Sequence, residues 1–258
     1  TSPALRDKPV RTALALSAPR ERIIKQSLSG RGIAVDGPLY PENEGYIPAK
    51  GGPEKNAAET AREIIEKSGW EKNAEGVFEK KIDKENIELK FELVVPEIDF
   101  LVSAARALES SWKEIGVGIK LDILKPVSVA NEAIRTRNYN MILFGNILKN
   151  SSDVFSFWHS SERFYPGLNL SLYENKKVDE LLESIRRNSD QSARAEDLEM
   201  LQELIREDAP AVFLFSPNYL YLSTKDLGGF TSSRQIAAPA NRLDGAEYWY
   251  LKTARIFR

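Results

Sequence analysis

The sequence predicts an α/β fold with a mixed sheet flanked by helices, and one stretch carries most of that prediction. Ile87, Leu89, Phe91, Leu93 and Val95 recur at every second position, the period that turns one face of a strand to a core and the other to water. Ile98, Leu101, Ala105, Leu108, Trp112 and Ile115 then trace a helical stripe that Gly116 stops, and Ile119, Leu121 and Ile123 alternate again. A strand, a helix and a strand in that order favour parallel pairing through a right-handed crossover.

The remaining elements follow along the chain. Arg6 to Leu16 opens it, and Ile23, Ile24 and Leu28 mark a second helix, with Ser17 as its cap and Pro19 in its first turn. Gly30 to Pro53, dense in glycine and proline, reads as an ordered surface loop. Ala57, Ala61, Ile64 and Ile65 lie on one face of a helix that ends at Gly69, with Trp70 packing back on it. A short helix over Val127 to Arg135 leads into Tyr139 to Gly145, whose run Met141-Ile142-Leu143-Phe144 suits a strand buried on both faces.

Val178, Leu181, Leu182 and Ile185 define one later helix, and Leu198, Leu201, Leu204 and Ile205 another. Ala211 to Phe215 and Tyr219 to Leu222 are expected as closing strands. From Leu227 the periodicity fades until Tyr248, Trp249 and Tyr250. The chain is thus expected to divide into a main body over 1–226 and a tail over 227–258 that docks elsewhere.

Composition narrows the chemistry. Lys and Arg total 36 against 38 Asp and Glu, without a basic cluster, so nucleic acid is not an expected partner. There is no cysteine, which removes thiol catalysis, disulfides and Cys-based zinc sites. The apolar runs, such as Met141 to Phe144 and Ala211 to Phe215, fall far short of the roughly 20 residues of a spanning helix. The chain opens Thr1-Ser2-Pro3, with no basic segment and apolar core of a leader.

The single histidine, His159, stands in Phe157-Trp158-His159-Ser160-Ser161, but no GxSxG turn accompanies it and no second histidine supports a metal site. It is read as a residue at a cleft edge or surface. Most carboxylates, such as Asp179, Glu180 and Glu183, occupy solvated helical positions opposite basic residues. A carboxylate pair acting on a glycoside or peptide remains the alternative from another class. The glycines of Gly30 to Gly37 form neither a GxxxxGK[ST] loop nor a GxGxxG turn, so no nucleotide cofactor is expected. Trp112 belongs to a core stripe, whereas Trp158 is open between core and cleft wall.

Several segments, in order, carry a family resemblance: Leu5-Arg6-Asp7-Lys8-Pro9-Val10-Arg11-Thr12-Ala13-Leu14 with Arg20-Glu21-Arg22-Ile23-Ile24; Ser68-Gly69-Trp70 with Gly76-Val77-Phe78; and Trp112-Lys113-Glu114-Ile115-Gly116-Val117. Asn138-Tyr139-Asn140-Met141, Tyr173-Glu174-Asn175, Val178-Asp179-Glu180-Leu181-Leu182, Glu207-Asp208-Ala209-Pro210 and Tyr248-Trp249-Tyr250 complete the set. Together they resemble the family 5 extracellular solute-binding proteins of peptide ABC importers.

The resemblance implies the C-terminal lobe of a periplasmic-binding-protein-like (type II) fold, preceded by a first lobe outside this sequence, with the tail returning to that lobe. It implies a non-enzymatic, periplasmic or extracellular protein, tethering as a lipoprotein being allowed, that binds a small solute between its lobes and meets membrane permease subunits. No metal or cofactor is implied. Family peptide binders usually place an acid for the ligand's α-amino group after the strand equivalent to Met141–Gly145; here Lys149 holds that place, and an ammonium cannot anchor an ammonium, with Asp153 as the substitute acid if the loop is shifted. An oligopeptide, a saccharide or an anionic ligand all stay open. From their position after a buried strand or before the Tyr173 motif, Asn146, Lys149, Trp158, Asn169 and Tyr173 are the expected ligand contacts.

Overall fold

The computed structural model describes residues 2–41, 43–49, 56–148, 152–230, 241 and 243–252. After a short 3-10 turn at Pro3–Arg6, helices α1 (Lys8–Leu16) and α2 (Arg20–Ser27) lead to strand β1 (Gly32–Ala34). Helix α3 (Ala57–Lys67) precedes strands β2 (Glu71–Lys72), β3 (Phe78–Ile82), β4 (Glu85–Glu88) and β5 (Lys90–Pro96). Then come helix α4 (Asp99–Glu114), strand β6 (Gly118–Leu124), the turn α5 (Pro126–Ser128) with a π-helical continuation at Val129–Ile134, and strand β7 (Met141–Ile142). Helices α6 (Phe155–Trp158), α7 (Lys176–Arg187) and α8 (Gln191–Asp208) are followed by strands β8 (Phe215–Pro217), β9 (Leu227–Gly228) and β10 (Tyr250–Leu251).

The expected strand-helix-strand unit is present: β5 lies between β6 and β7, parallel to both. The alternating run from Ile87 to Val95, however, is not one strand. It is divided at Leu89 between β4, which pairs antiparallel with β3, and β5 in the parallel sheet. Leu89 is fully buried; its N–H donates to Phe78 O at 2.7 Å while its carbonyl accepts from Gly118 N at 2.8 Å. One residue thus serves two sheets, and the unbroken period of two hid the change. The hairpin of β2, β3 and β4 had no comparable apolar signal, because its faces are largely polar.

The main core gathers α1, α3, α4 and the parallel sheet around Leu14, Ile65, Trp70, Phe91, Leu108 and Trp112. Trp70 packs back as expected, donating from Nε1 to Asp7 Oδ2 at 2.9 Å, and Trp112 donates to Leu14 O at 3.0 Å. Gly116 has φ +83°, and a Cβ there would lie 2.8 Å from Phe78 Cδ2, so glycine is required both for conformation and for space. A second core joins α6, α7 and α8 through Leu39, Trp158, Leu182, Ile185, Leu201 and Ile205.

Other expectations need correction. Ser17 ends α1 instead of starting α2: its hydroxyl donates to Ala13 O at 2.7 Å, and α2 begins after Pro19. The stretch from Gly30 is not all surface, since β1 pairs with β8 and Leu39 is fully buried; Gly51 to Pro53 lie outside the described residues. The strand expected over Tyr139 to Gly145 shortens to β7 at the sheet edge, leaving Phe144 46% exposed. Tyr219 to Leu222 form no strand, and Leu222 is 94% exposed.

Ala211 to Phe215 is extended but mostly unladdered, and it lies between the cores. Ala211 and Phe213 pack on the second core, whereas Val212, Leu214 and Phe215 pack on the main one. Past Gly229 the described tail turns back on its own beginning: β10 pairs with β9, and Trp249 clusters with Tyr221 and Phe230.

Candidate functional site

A concavity of about 610 Å³ opens between the two cores, within the roughly 300–1,000 Å³ of small-ligand sites. Strand β7 and the segment to Leu148 form one wall, Phe100 at the start of α4 a second, and the Ala211–Pro217 segment with Phe157 and Trp158 a third. Leu168, Leu170 and Ser171 form a lip.

That lip is fastened by two residues just before β7. The Arg137 guanidinium donates to the carbonyls of Ile134 (2.6 Å), Arg163 (2.9 Å) and Gly167 (2.6 Å), using the several divergent donors that lysine lacks. The Tyr139 phenol donates to Leu170 O at 2.6 Å. Burial pushes that phenol above its ordinary pKa, against the opposing charge of Arg137, so it stays a neutral donor.

Of the five residues singled out from the sequence, Asn146 and Trp158 line the concavity. Asn146 is exposed; Trp158 is 6% exposed, tilted on Phe213 at 5.5 Å and edge-on to Tyr173 at 6.5 Å. Asn169 is fully buried behind the lip, where Nδ2 donates to the carbonyls of Trp158, His159 and Tyr173 and Oδ1 accepts from Ser171 Oγ and Tyr173 N. Tyr173 likewise faces inward, its hydroxyl 2.6 Å from Asp208 Oδ2. Lys149 lies outside the described residues. Sequence reasoning missed Arg137, which belongs to no pattern, and Arg11, whose role depends on partners almost 200 positions away.

Arg11 is the one charged side chain lining the concavity among the described residues. Its Nε and Nη2 donate to the carbonyls of Asp208 and Ala209, and its Nη1 to those of Leu5 and Arg6. It therefore joins the start of α1 to the end of α8, where Ala209 adopts φ +46°.

His159 is not at a cleft edge. It is 9% exposed, stacked 4.1 Å from Phe155 and turned toward α7, with Nε2 3.6 Å from Glu183 Oε1 and 3.9 Å from Asp179 Oδ1. Its Nδ1 caps the following 3-10 turn, accepting the Ser161 N–H at 3.1 Å, and lies 2.8 Å from the Ser161 hydroxyl. Among the described residues no group of His, Asp and Glu side chains is arranged to hold a metal ion, and no helix is long and apolar enough to cross a membrane.

An edge strand of a parallel sheet beside an open apolar hollow, with its lip tied from behind, is the architecture of one lobe of a cleft-type solute-binding protein. The chain belongs to the bacterial extracellular solute-binding proteins, family 5, whose middle-region model matches residues 1–164. It is 27% identical over 251 residues to the oligopeptide-binding protein AppA of Bacillus subtilis, a match covering 95% of this chain and 44% of that protein. Over 134 residues it is 34% identical to the probable D,D-dipeptide-binding periplasmic protein DdpA of Escherichia coli, covering 49% of this chain and 25% of that one. The chain thus spans less than half the length of these curated relatives.

Among solved structures, the fold matches AppA of B. subtilis in complex with a nonapeptide (TM-score 0.75, 24% identity, 96% of this chain and 48% of that one). It also matches NikZ of Campylobacter jejuni in complex with Ni(L-His) (TM-score 0.76, 24% identity, 96% and 49%).

Proposed function

We propose that this chain supplies one wall of the ligand cleft in the extracytoplasmic substrate-binding component of an ABC importer. The ligand is a peptide or another small solute. The open concavity beside β7 carries this reading, because a hollow of that size with one side uncovered is half of a site. A second lobe closing over it would form the shape that membrane permease subunits recognise. The protein works in the periplasm or outside the cell, and lipoprotein tethering is compatible with that placement.

The body over 1–226 forms the lobe, and the tail over 227–258 packs on the other one. The exposed Tyr248, Tyr250 and Leu251 support this, since clustered exposed apolar groups mark contact surfaces. Asn146, Lys149 and Trp158 are the proposed ligand contacts, with Asn169 and Tyr173 holding the lip from behind. Lys149 argues against capture of a free peptide amino terminus at its position and leaves saccharides and anions as candidates.

Calorimetry with peptides, saccharides and anions tests the reading on the protein that carries both lobes. Binding with closure, weakened by Trp158→Ala and Lys149→Ala, is expected, and this chain alone should bind weakly. Steady turnover of a glycoside or peptide, or full affinity in both variants, would count against it.

A further inference from the structure

Resting on the reading above, we propose that the concavity selects ligands with uncharged, apolar side chains and neutral backbone groups, an apolar capped peptide being the simplest example. Among the described residues, its lining holds no carboxylate and no lysine, and its one charged group, Arg11, is committed to backbone carbonyls. A carboxylate or ammonium held against these walls would lose water without gaining a counterion from any described residue, the most unfavourable form of burial. Lys149, next after the lining residue Leu148, would change this for an anion, and binding of an Asp-bearing peptide reads that out.

Phe100, Met141, Phe144, Phe157 and Leu168 offer apolar surface from three sides. Neutral polar groups also occur: the Asn146 amide, the Asn140 Nδ2 left beside the bond of its Oδ1 to Glu92 N, and the acceptor side of Ser171 Oγ, which donates to Asn169. These suit amide N–H and C=O groups of a ligand. The combination of apolar walls with a few uncharged hydrogen-bonding groups fixes orientation without demanding charge.

The test titrates the 258-residue chain to millimolar ligand, following tryptophan fluorescence and displacement of the uncharged probe N-phenyl-1-naphthylamine. The ligands are acetyl-Leu-Phe-Leu-amide and its analogues with Asp or Lys in place of both leucines. The apolar peptide should displace the probe at least about tenfold more readily than either charged analogue. Phe144→Asp, at a half-exposed position that tolerates a carboxylate, should reverse the order in favour of the Lys analogue.

Equal or better binding of a charged analogue overturns the apolar selectivity while leaving solute binding standing, and a preference for the Asp analogue would transfer recognition to Lys149. Probe binding that no peptide displaces overturns the peptide reading and keeps the apolar one. Failure of probe and peptides alike overturns the apolar selectivity of this hollow, as does an unchanged ligand order in Phe144→Asp for the assignment to it, while solute binding by the two-lobed protein is decided separately by calorimetry.

Discussion

The Tyr173 hydroxyl donates to Asp208 Oδ2 at 2.6 Å, and the Asn175 amide reaches the same oxygen at 2.8 Å. The base of the lip is thereby bonded to the last residue of α8, and the start of α1 is bonded to the same place through Arg11. Burial and the bond to Asp208 push the Tyr173 phenol far above its ordinary pKa, so it remains a donor throughout the physiological range. Tyr173→Phe leaves the carboxylate without its shortest partner and should lower unfolding stability by about 1–3 kcal/mol, as read from urea midpoints with m unchanged.

Burial alone would raise the Asp208 carboxyl, but the bonds from Tyr173 and Asn175 with the charges of Lys8 and Arg11 outweigh it and hold it below the usual carboxylate value. A depressed folded-state pKa contributes stability that is present above the unfolded value of about 3.9 and is lost as pH falls through the folded one. Asp208→Asn should therefore be less stable at neutral pH and lose less on acidification below about pH 4. Urea titrations at several pH values check this; parallel curves for the two proteins would refute it.

Arg11 makes its contacts with divergent N–H groups, which an ammonium cannot reproduce. Arg11→Lys should lose nearly as much stability as Arg11→Ala, about 2–4 kcal/mol by analogy with other buried charge-assisted bonds. Recovery of most of the stability in the lysine variant would show that charge, not geometry, is what matters there.

Gly116→Ala places a methyl group against the Phe78 ring in a left-handed backbone conformation. A loss of about 1–3 kcal/mol is expected, visible as a lower thermal midpoint.

Asn169→Ala removes an amide bonded on both sides within the lip. Stability should drop by about 1–3 kcal/mol for the unsatisfied carbonyls and N–H it leaves. Faster amide hydrogen exchange should be confined to the stretch from Trp158 to Tyr173; unchanged protection there would contradict its role.

The strand-helix-strand unit and the helices α3, α4, α7 and α8 were legible because their apolar positions follow one period each. The change of sheet at Leu89 was not, since both sheets use a period of two and the exchange lies in backbone bonds that any residue makes. Asn146 and Trp158 could be placed beside the hollow from their position after a strand, but Asn169 and Tyr173 could not be told from lining residues. Local sequence marks a loop next to a site without recording which of its side chains turn inward to hold it. Arg137 and Arg11 lay beyond reach for a related reason: their partners are carbonyl groups, which have no residue identity.

Ala211 to Leu214 send alternate side chains into two different cores, and this makes the length of the segment a property as constrained as its composition. Deleting a single residue there would carry Phe213 to the side Val212 occupies and Leu214 to the opposite one, exchanging the residents of both interiors at once. Point substitutions at these positions damage one side at a time, whereas an indel is a frameshift in three dimensions. Variation in this stretch is accordingly expected to proceed by replacement and not by insertion or loss.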